Sequence, residues 1–250
     1  MSSTFLALFG LTVLASAATT NTNLQTSFPA SSGTTALSAV KTIAASASFD
    51  GSMYQWDRSP STCSEQAEGG DSDAVFILED GAVLSNAIIG PNNGEGVHCL
   101  GTCTLNNVWW TDVCEDAATF KGTSSSGVSY VNGGGARGAE DKVLQHNGAG
   151  TVAVKNFWAS SIGKLYRSCG NCDTQYARHS TFNNVLVSDA SVVAGVNGNY
   201  GDTTYIHDSC VEDSSICWEY EGNDDGDEPT KTASGATGTA CTTASIKTSC

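Results

Sequence analysis

A four-residue pattern returns six times along this chain, and it restricts the fold more than any other feature. The copies are Val83-Leu84-Ser85-Asn86, Thr104-Leu105-Asn106-Asn107, Ser129-Tyr130-Val131-Asn132, Ala153-Val154-Lys155-Asn156, Thr181-Phe182-Asn183-Asn184 and Thr204-Tyr205-Ile206-His207, at intervals of 21, 25, 24, 28 and 23 residues. Five of the six end in Asn, and the residue two places earlier is always large and apolar. Self-similarity at this period marks stacked supersecondary units, none of which can bury its apolar face alone. Helical periodicity is nearly absent from Asp73 onward, and the apolar runs are short and broken by Gly and Asn. The expected fold is all-β, a single right-handed parallel β-helix. Leu84, Leu105, Tyr130, Val154, Phe182 and Tyr205 should stack inside it, with Ile88, Trp109, Trp158 and Leu186. The Asn ending each run suits a tight turn, because Asn tolerates the left-handed conformation. A β-sandwich is the rival, but its turns normally recur every 8–12 residues.

Around these repeats the chain divides into three parts. Met1 to Ala17 reads as a secretory signal, with the apolar run from Phe5 to Leu14 and an A-x-A site at Ala15-Ser16-Ala17. The run is too short to span a bilayer, and no later segment of about 18 apolar residues follows, so no membrane partner is expected. Residues 18–228 form the β-helix domain, beginning with a Ser/Thr/Ala/Gly-rich wrapping segment that includes one short expected helix near Leu37 to Ala45. Residues 229–250 read as a solvated Thr/Ser/Ala-rich tail pinned by Cys241 and Cys250, a better reading of this end than a calcium loop. Ten cysteines, an even number, argue for disulfides in an oxidising, extracellular compartment. Cys169-Gly-Asn-Cys172 reads as a local disulfide, because the βαβ context of a redox motif and the second pair of a zinc site are both missing. Cys210 with Cys217 is a pairing suggested by proximity alone.

The net charge of −15 excludes nucleic acid as the partner. An acidic sugar polymer would also be repelled unless a bridging cation and a local basic cluster offset the field. Both elements stand one repeat apart. Glu95 and Asp116 are separated by 21 residues, with Asp112 and Glu115 beside the latter. Lys142 and Lys164 are separated by 22, with Asp141 and Arg167 alongside. Lys142, Lys164 and Arg167 lie within 26 residues of one another in a chain with only eleven basic side chains. In a solenoid this spacing stacks side chains into an acidic column beside a cationic one.

With repeats and charges placed, the chain resembles the fungal and oomycete members of the family-three pectate lyases. The resemblance runs from about Phe49 to Glu228. It rests on Glu68-Gly-Gly-Asp-Ser-Asp-Ala-Val-Phe, Leu78-Glu-Asp-Gly-Ala, Ile89-Gly-Pro-Asn, Gly94-Glu-Gly-Val-His-Cys99, Trp110-Thr-Asp-Val-Cys-Glu-Asp-Ala117, Asp141-Lys-Val-Leu-Gln-His-Asn-Gly148 and Gly163-Lys-Leu-Tyr-Arg-Ser-Cys-Gly-Asn-Cys172. It implies an extracellular, monomeric, calcium-dependent enzyme acting on polygalacturonate. Glu95, Asp112 and the Val113 carbonyl resemble the family's calcium cage, with Glu115 and Asp116 as the acidic pair beside it. Lys142, Lys164 and Arg167 match the basic residues of the cleft; Asp141, Lys121 and Trp110 complete the expected substrate-binding set. Thr111 departs from the Glu of many relatives, which weakens local charge without removing Asp112.

That set suits β-elimination. Removing the weakly acidic C5 proton of a galacturonate needs a cation on the neighbouring carboxylate and a base at C5. Lys142 is the favoured base on the expectation that neighbouring cations depress its pKa, with Arg167 the alternative. His98 and His146 read as packing residues. Trp110 should face outward by strand alternation, and Trp109 and Trp158 inward. Two other functions remain open: a β-helix hydrolase using paired carboxylates, and a secreted β-helix that binds polygalacturonate or ice, or triggers host responses, without catalysis.

Overall fold

The structure, a computed structural model, describes residues 20–250; the signal segment, Met1 to Ala17, lies outside them. Seventeen strands form one continuous sheet wound into a parallel β-helix, and nearly every pairing joins a strand to the equivalent strand one coil away. Each coil supplies one residue to a ladder, so the ladders define the register. One ladder runs Leu84, Leu105, Val131, Val154, Phe182 and Ile206. All six are buried in the interior cluster.

Two of the expected members are therefore displaced by one residue. Tyr130 and Tyr205 stand on the outer face, 45% and 39% exposed, and Val131 and Ile206 take their places inside. The reason lies at the corner that closes each run. The left-handed residue there is Asn86, Asn107, Gly133, Asn156, Asn184 and Asp208 in successive coils, each with φ between 51° and 68°. Asn132 and His207 sit one position earlier, on the strand, opposite Asn106 and Asn183. A one-residue slip moves every side chain to the opposite face. Asn side chains stack along the corner, Asn107 donating to Asn86 at 2.9 Å and Asn184 to Asn156 at 2.7 Å. At Gly133 the Thr22 backbone crosses where a side chain would stand.

The same corner overturns the expectation for the tryptophans. The left-handed residue resets the in–out alternation, so Val108 and Trp110 point inward and Trp109 points out. Trp110 is 1% exposed and packs on Phe157, with ring centroids 6.3 Å apart, so it is a core residue with no face toward substrate. Ile88, Trp109, Trp158 and Leu186 share the outer ladder instead. Trp109 is buried nonetheless, because the N-terminal segment crosses it: the Phe28 ring packs tilted against Trp109 at 5.1 Å and edge-on to Trp158 at 5.5 Å.

Three further expectations change. Thr34–Leu37 and Lys41–Ile43 are strands, so no helix forms near Leu37 to Ala45; the chain there adds to a sheet edge. The end of the chain is exposed along most of its length, as a solvated tail should be, but it forms two strands and is pinned through Cys250 and not Cys241. Thr230–Ser234 pairs antiparallel with Ser215–Glu221, and Cys241–Lys247 pairs parallel with Thr203–Glu212, covering the last open coil. Cys210 bonds to Cys250, not Cys217, while Cys63–Cys114, Cys99–Cys103 and Cys169–Cys172 form the other bridges. Cys217 and Cys241 are buried thiols.

Leu105 lies mid-column and is fully buried. Leu105→Ala is expected to lower unfolding free energy by about 2–5 kcal/mol through the cavity left in a stack with no freedom to collapse. Urea denaturation checks this, and a loss under about 0.5 kcal/mol would place the residue on the surface.

Candidate active site

The charged residues collect where three coils lie side by side. Asp116 stands opposite Lys142, and Lys142 opposite Lys164, in adjacent ladder positions. Arg167 sits three ladder positions further along the strand, between Gln145 and Gly195. The lysines are thus one coil apart, as their spacing suggested. Just before them the register slips. Between the pairs Ile162–Ala139 and Lys164–Lys142, Gly163 alone faces two residues, Glu140 and Asp141, a bulge that a side chain at Gly163 would obstruct, since its Cβ would lie 2.4 Å from the Asp141 carbonyl oxygen. The bulge turns the Asp141 carboxylate toward both lysines. Lys142 Nζ donates to it at 3.0 Å, and Lys164 Nζ also donates to it.

Beside this column three glutamates converge. One carboxylate oxygen each from Glu68, Glu95 and Glu115 lies within 4.8 Å of the other two. Glu95 and Glu115 are buried, with Asp116 behind them. Glu68 belongs to a loop held down by the Cys63–Cys114 bridge, and the next residue, Gly69, donates its amide to Glu95 Oε1 at 2.8 Å. His98 fixes the other oxygen of Glu95 at 2.8 Å and reaches Asp71 at 2.7 Å. Asp112 is exposed and stands outside the glutamate trio, and Val113 bridges to Ala139 on the neighbouring coil. Lys121 does not enter the groove. It pairs with Asp71 at 2.8 Å and touches His98 at 3.0 Å, which ties it to Glu95 indirectly.

The electrostatics separate the three cations. Lys142 Nζ sits among four carboxylates: Glu115 at 2.8 Å, Asp141 at 3.0 Å, Asp116 at 3.6 Å and Glu68 at 4.0 Å. Burial works against its charge, but Asp116, Glu115 and Asp141 outweigh it and hold Lys142 far above the ordinary lysine range. Arg167 differs. Among the described residues no carboxylate comes within 4.0 Å of its nitrogens. Its guanidinium lies 3.9 Å over the Tyr220 ring and donates to Asn197 Oδ1 at 3.0 Å. Burial lowers its pKa, only partly opposed by Tyr220, Asp202 and Glu228.

The acids carry the opposite imbalance. Burial, then the charge of Glu115, raises Glu68, and Asp116 lies well above the usual carboxylate range because burial outweighs the attraction of Lys142. Among the described residues, Glu115 Oε2 and Asp116 Oδ1 are buried without a hydrogen-bond partner. Converging oxygens with unmatched negative charge are the donor set of a hard cation such as calcium, and these residues fit one.

The basic residues line a mainly polar groove of about 190 Å³, walled by Glu68, Asp141, Lys142, Lys164, Arg167 and Tyr220. A larger cavity of about 290 Å³ opens elsewhere, beside Asp80, Thr102, Phe120 and His146, but no cluster of opposite charges converges on it. His146 is buried and held by Tyr166 at 2.9 Å; burial drives its pKa down to about 3, so it stays neutral in the core.

Glu68, Tyr220 and Asn197 had no assigned part in the sequence reading. Glu68 was visible inside a recognisable motif, but it is 27 residues before Glu95 and not in ladder register with it. The disulfide-clipped loop brings the two together. Nothing in the local sequence around Asn197 or Tyr220 points to Arg167.

This arrangement has counterparts. The pectate lyase family model matches residues 25–227. A probable pectate lyase D from Emericella nidulans is 51% identical over 216 residues, covering 85% of this chain and 81% of the relative. Pectate lyase E from the same organism is 51% identical over 208 residues, covering 83% and 80%. Among solved structures, the catalytic domain of pectate lyase PelI from Erwinia chrysanthemi superposes with a TM-score of 0.65 at 28% identity, over 86% of this chain and 98% of that one. The structure of PelI in complex with tetragalacturonic acid superposes at 0.62 with 30% identity, covering 79% and 69%. With the β-helix, the glutamate trio and the basic groove in place, these matches show that the chain belongs to the pectate lyase family.

Proposed function

We propose that the protein is a secreted pectate lyase that binds de-esterified polygalacturonate in the basic groove and cleaves it by β-elimination, with calcium held by Glu68, Glu95 and Glu115 beside Asp116. The observation that carries this reading is the pairing of unmatched buried carboxylates with a groove that holds three cations. Calcium at the glutamates would neutralise the substrate carboxylate and acidify the adjacent C5 proton.

The chain's own residues divide the rest. Arg167 is the group best suited to take the C5 proton, because it is the cation whose charged form has the least support from carboxylates. Lys164, steadied by Asp141, supplies positive charge for the substrate carboxylate, and Lys142 balances the acids at the edge of the groove. As the proton leaves C5, its electron pair forms the C4–C5 double bond, the C4–O4 bond breaks, and the departing oxygen is protonated from solvent. A hydrolase reading fits less well. It uses a pair of carboxylates as acid and base and gives Lys142, Lys164 and Arg167, which line the groove, no part beyond binding.

Incubation with polygalacturonate, with and without a chelator, tests the proposal. Ultraviolet absorbance from unsaturated ends should rise, stop with chelator and return with calcium. Full-rate cleavage in chelator would overturn the calcium assignment, and new reducing ends without that absorbance would mean hydrolysis.

A further inference from the structure

We infer that Cys217 and Cys241 are oxidised in the secreted protein to a fifth disulfide, which locks the strand carrying Tyr220 to the strand that covers the last coil. This rests on the reading of the protein as secreted. Both residues are fully buried, and both stand as thiols in this structure. Cys217 ends one inward ladder, which runs Leu144, Tyr166, Ala194 and Cys217. Cys241 ends another, which runs Val152, Ser180, Thr204 and Cys241. The two ladders face each other across the interior, where Tyr166 packs edge-on to Phe182, two residues along the strand from Ser180, at 5.8 Å. Two coils further on, Cys217 takes the place of Tyr166 and Cys241 that of Ser180. Cα atoms of the strands Ser215–Glu221 and Cys241–Lys247 come within 8 Å of each other, and the two thiols meet as hydrogen-bonding neighbours.

The surroundings narrow the pair to this role. The other eight cysteines are joined in four bridges, so each of these thiols has the other as its remaining partner. The described side chains that could hold a metal include neither sulfur. Contact with Cys241, and then burial, hold the Cys217 thiol far above the ordinary cysteine range, so in the finished fold it supplies no thiolate for nucleophilic or redox catalysis. Oxidation therefore precedes closure of the last coil. One sulfur, as thiolate, attacks an external disulfide of the secretory compartment, and the second sulfur then displaces the half that has become bound. The two cysteines lose two electrons and two protons, and the external disulfide leaves as two thiols. The bridge adds a second anchor beside Cys210–Cys250. It also pins the strand on which Tyr220, three residues beyond Cys217, forms part of the groove wall.

The test uses the full chain expressed in a eukaryotic secretion host, denatured without reductant and treated with N-ethylmaleimide. Mass spectrometry should find none of the ten cysteines alkylated, and a peptide joining Cys217 to Cys241. Alkylation of Cys217 and Cys241 beside four intact bridges would overturn the proposal alone, as would a different partner for either residue. A chain retained inside the cells with its thiols free would overturn the secreted reading instead. Thermal unfolding gives a second readout. Cys217→Ala, Cys241→Ala and the double variant should each lower Tm by the same amount, about 5–10 °C, because each opens the same bridge. The loop between Cys217 and Cys241 lies inside the 40-residue span already closed by Cys210–Cys250, which keeps the loss modest. Single-variant losses that add up to the loss of the double variant would mean two separately packed thiols and no bridge.

Discussion

Arg167→Ala is expected to lower kcat by about 10²- to 10⁴-fold, the range a positioned general base supplies. Binding of polygalacturonate should persist, because Lys142 and Lys164 remain in the groove. The sign of the pH dependence follows from the burial of Arg167. Its pKa is lowered from the ordinary arginine value, so the neutral form that can accept a proton grows as pH rises, and turnover should climb through the alkaline range. Arg167→Lys would keep the charge but lose the planar contacts to Asn197 and Tyr220, and should fall near the alanine variant. Steady-state kinetics across pH check this. If Arg167→Ala keeps near-normal turnover while Lys142→Ala is inactive yet folded, the two residues exchange roles and Lys142 is the base.

Lys142→Ala is expected to act first on stability. Its ammonium is the cation in contact with Glu115 and Asp116, both about 97–98% hidden from solvent. Removing one partner of a buried charge cluster costs about 3–5 kcal/mol, because the remaining charges stay buried and unmatched. Since the folded-state pKa of Lys142 is raised, its contribution is complete below the ordinary lysine pKa of about 10.4 and fades only above it. The deficit should therefore be flat across neutral pH. Calcium supplies the missing positive charge, so it should stabilise the variant more than wild type; at 100 times the dissociation constant, binding adds about 2.7 kcal/mol. Urea denaturation of both proteins, in chelator and in calcium, measures all four values. A variant as stable as wild type in chelator would show that the acids carry protons rather than charge.

The repeat was legible because it is a property of neighbours in sequence. Each coil must present an apolar residue inward and turn a corner, and Leu84, Leu105, Val154 and Phe182 register that requirement directly. The one-coil offset of Lys142 and Lys164 was legible for the same reason, since ladder position in a solenoid follows from chain distance. The phase within a coil was not. Whether Asn132 or Gly133 turns the corner depends on the backbone crossing above it, at Thr22, and that choice sent Tyr130 outward. Trp110 went inward because the corner at Asn107 interrupts the alternation on which the outward expectation relied.

The sequence by itself determined the stacking period, the β-helix and part of the charged set that meets, including Glu95, Glu115, Asp116, Asp141, Lys142 and Lys164 but not Glu68. Only the tertiary structure decided which charge answers which. Lys142 is matched by carboxylates from two coils and a clipped loop, while Arg167, three residues from Lys164, meets an aromatic ring and an amide. Spacing along a chain brings side chains to the same face. The proton affinity of each is set by burial and by partners from distant segments, and those are known only once the coils are stacked.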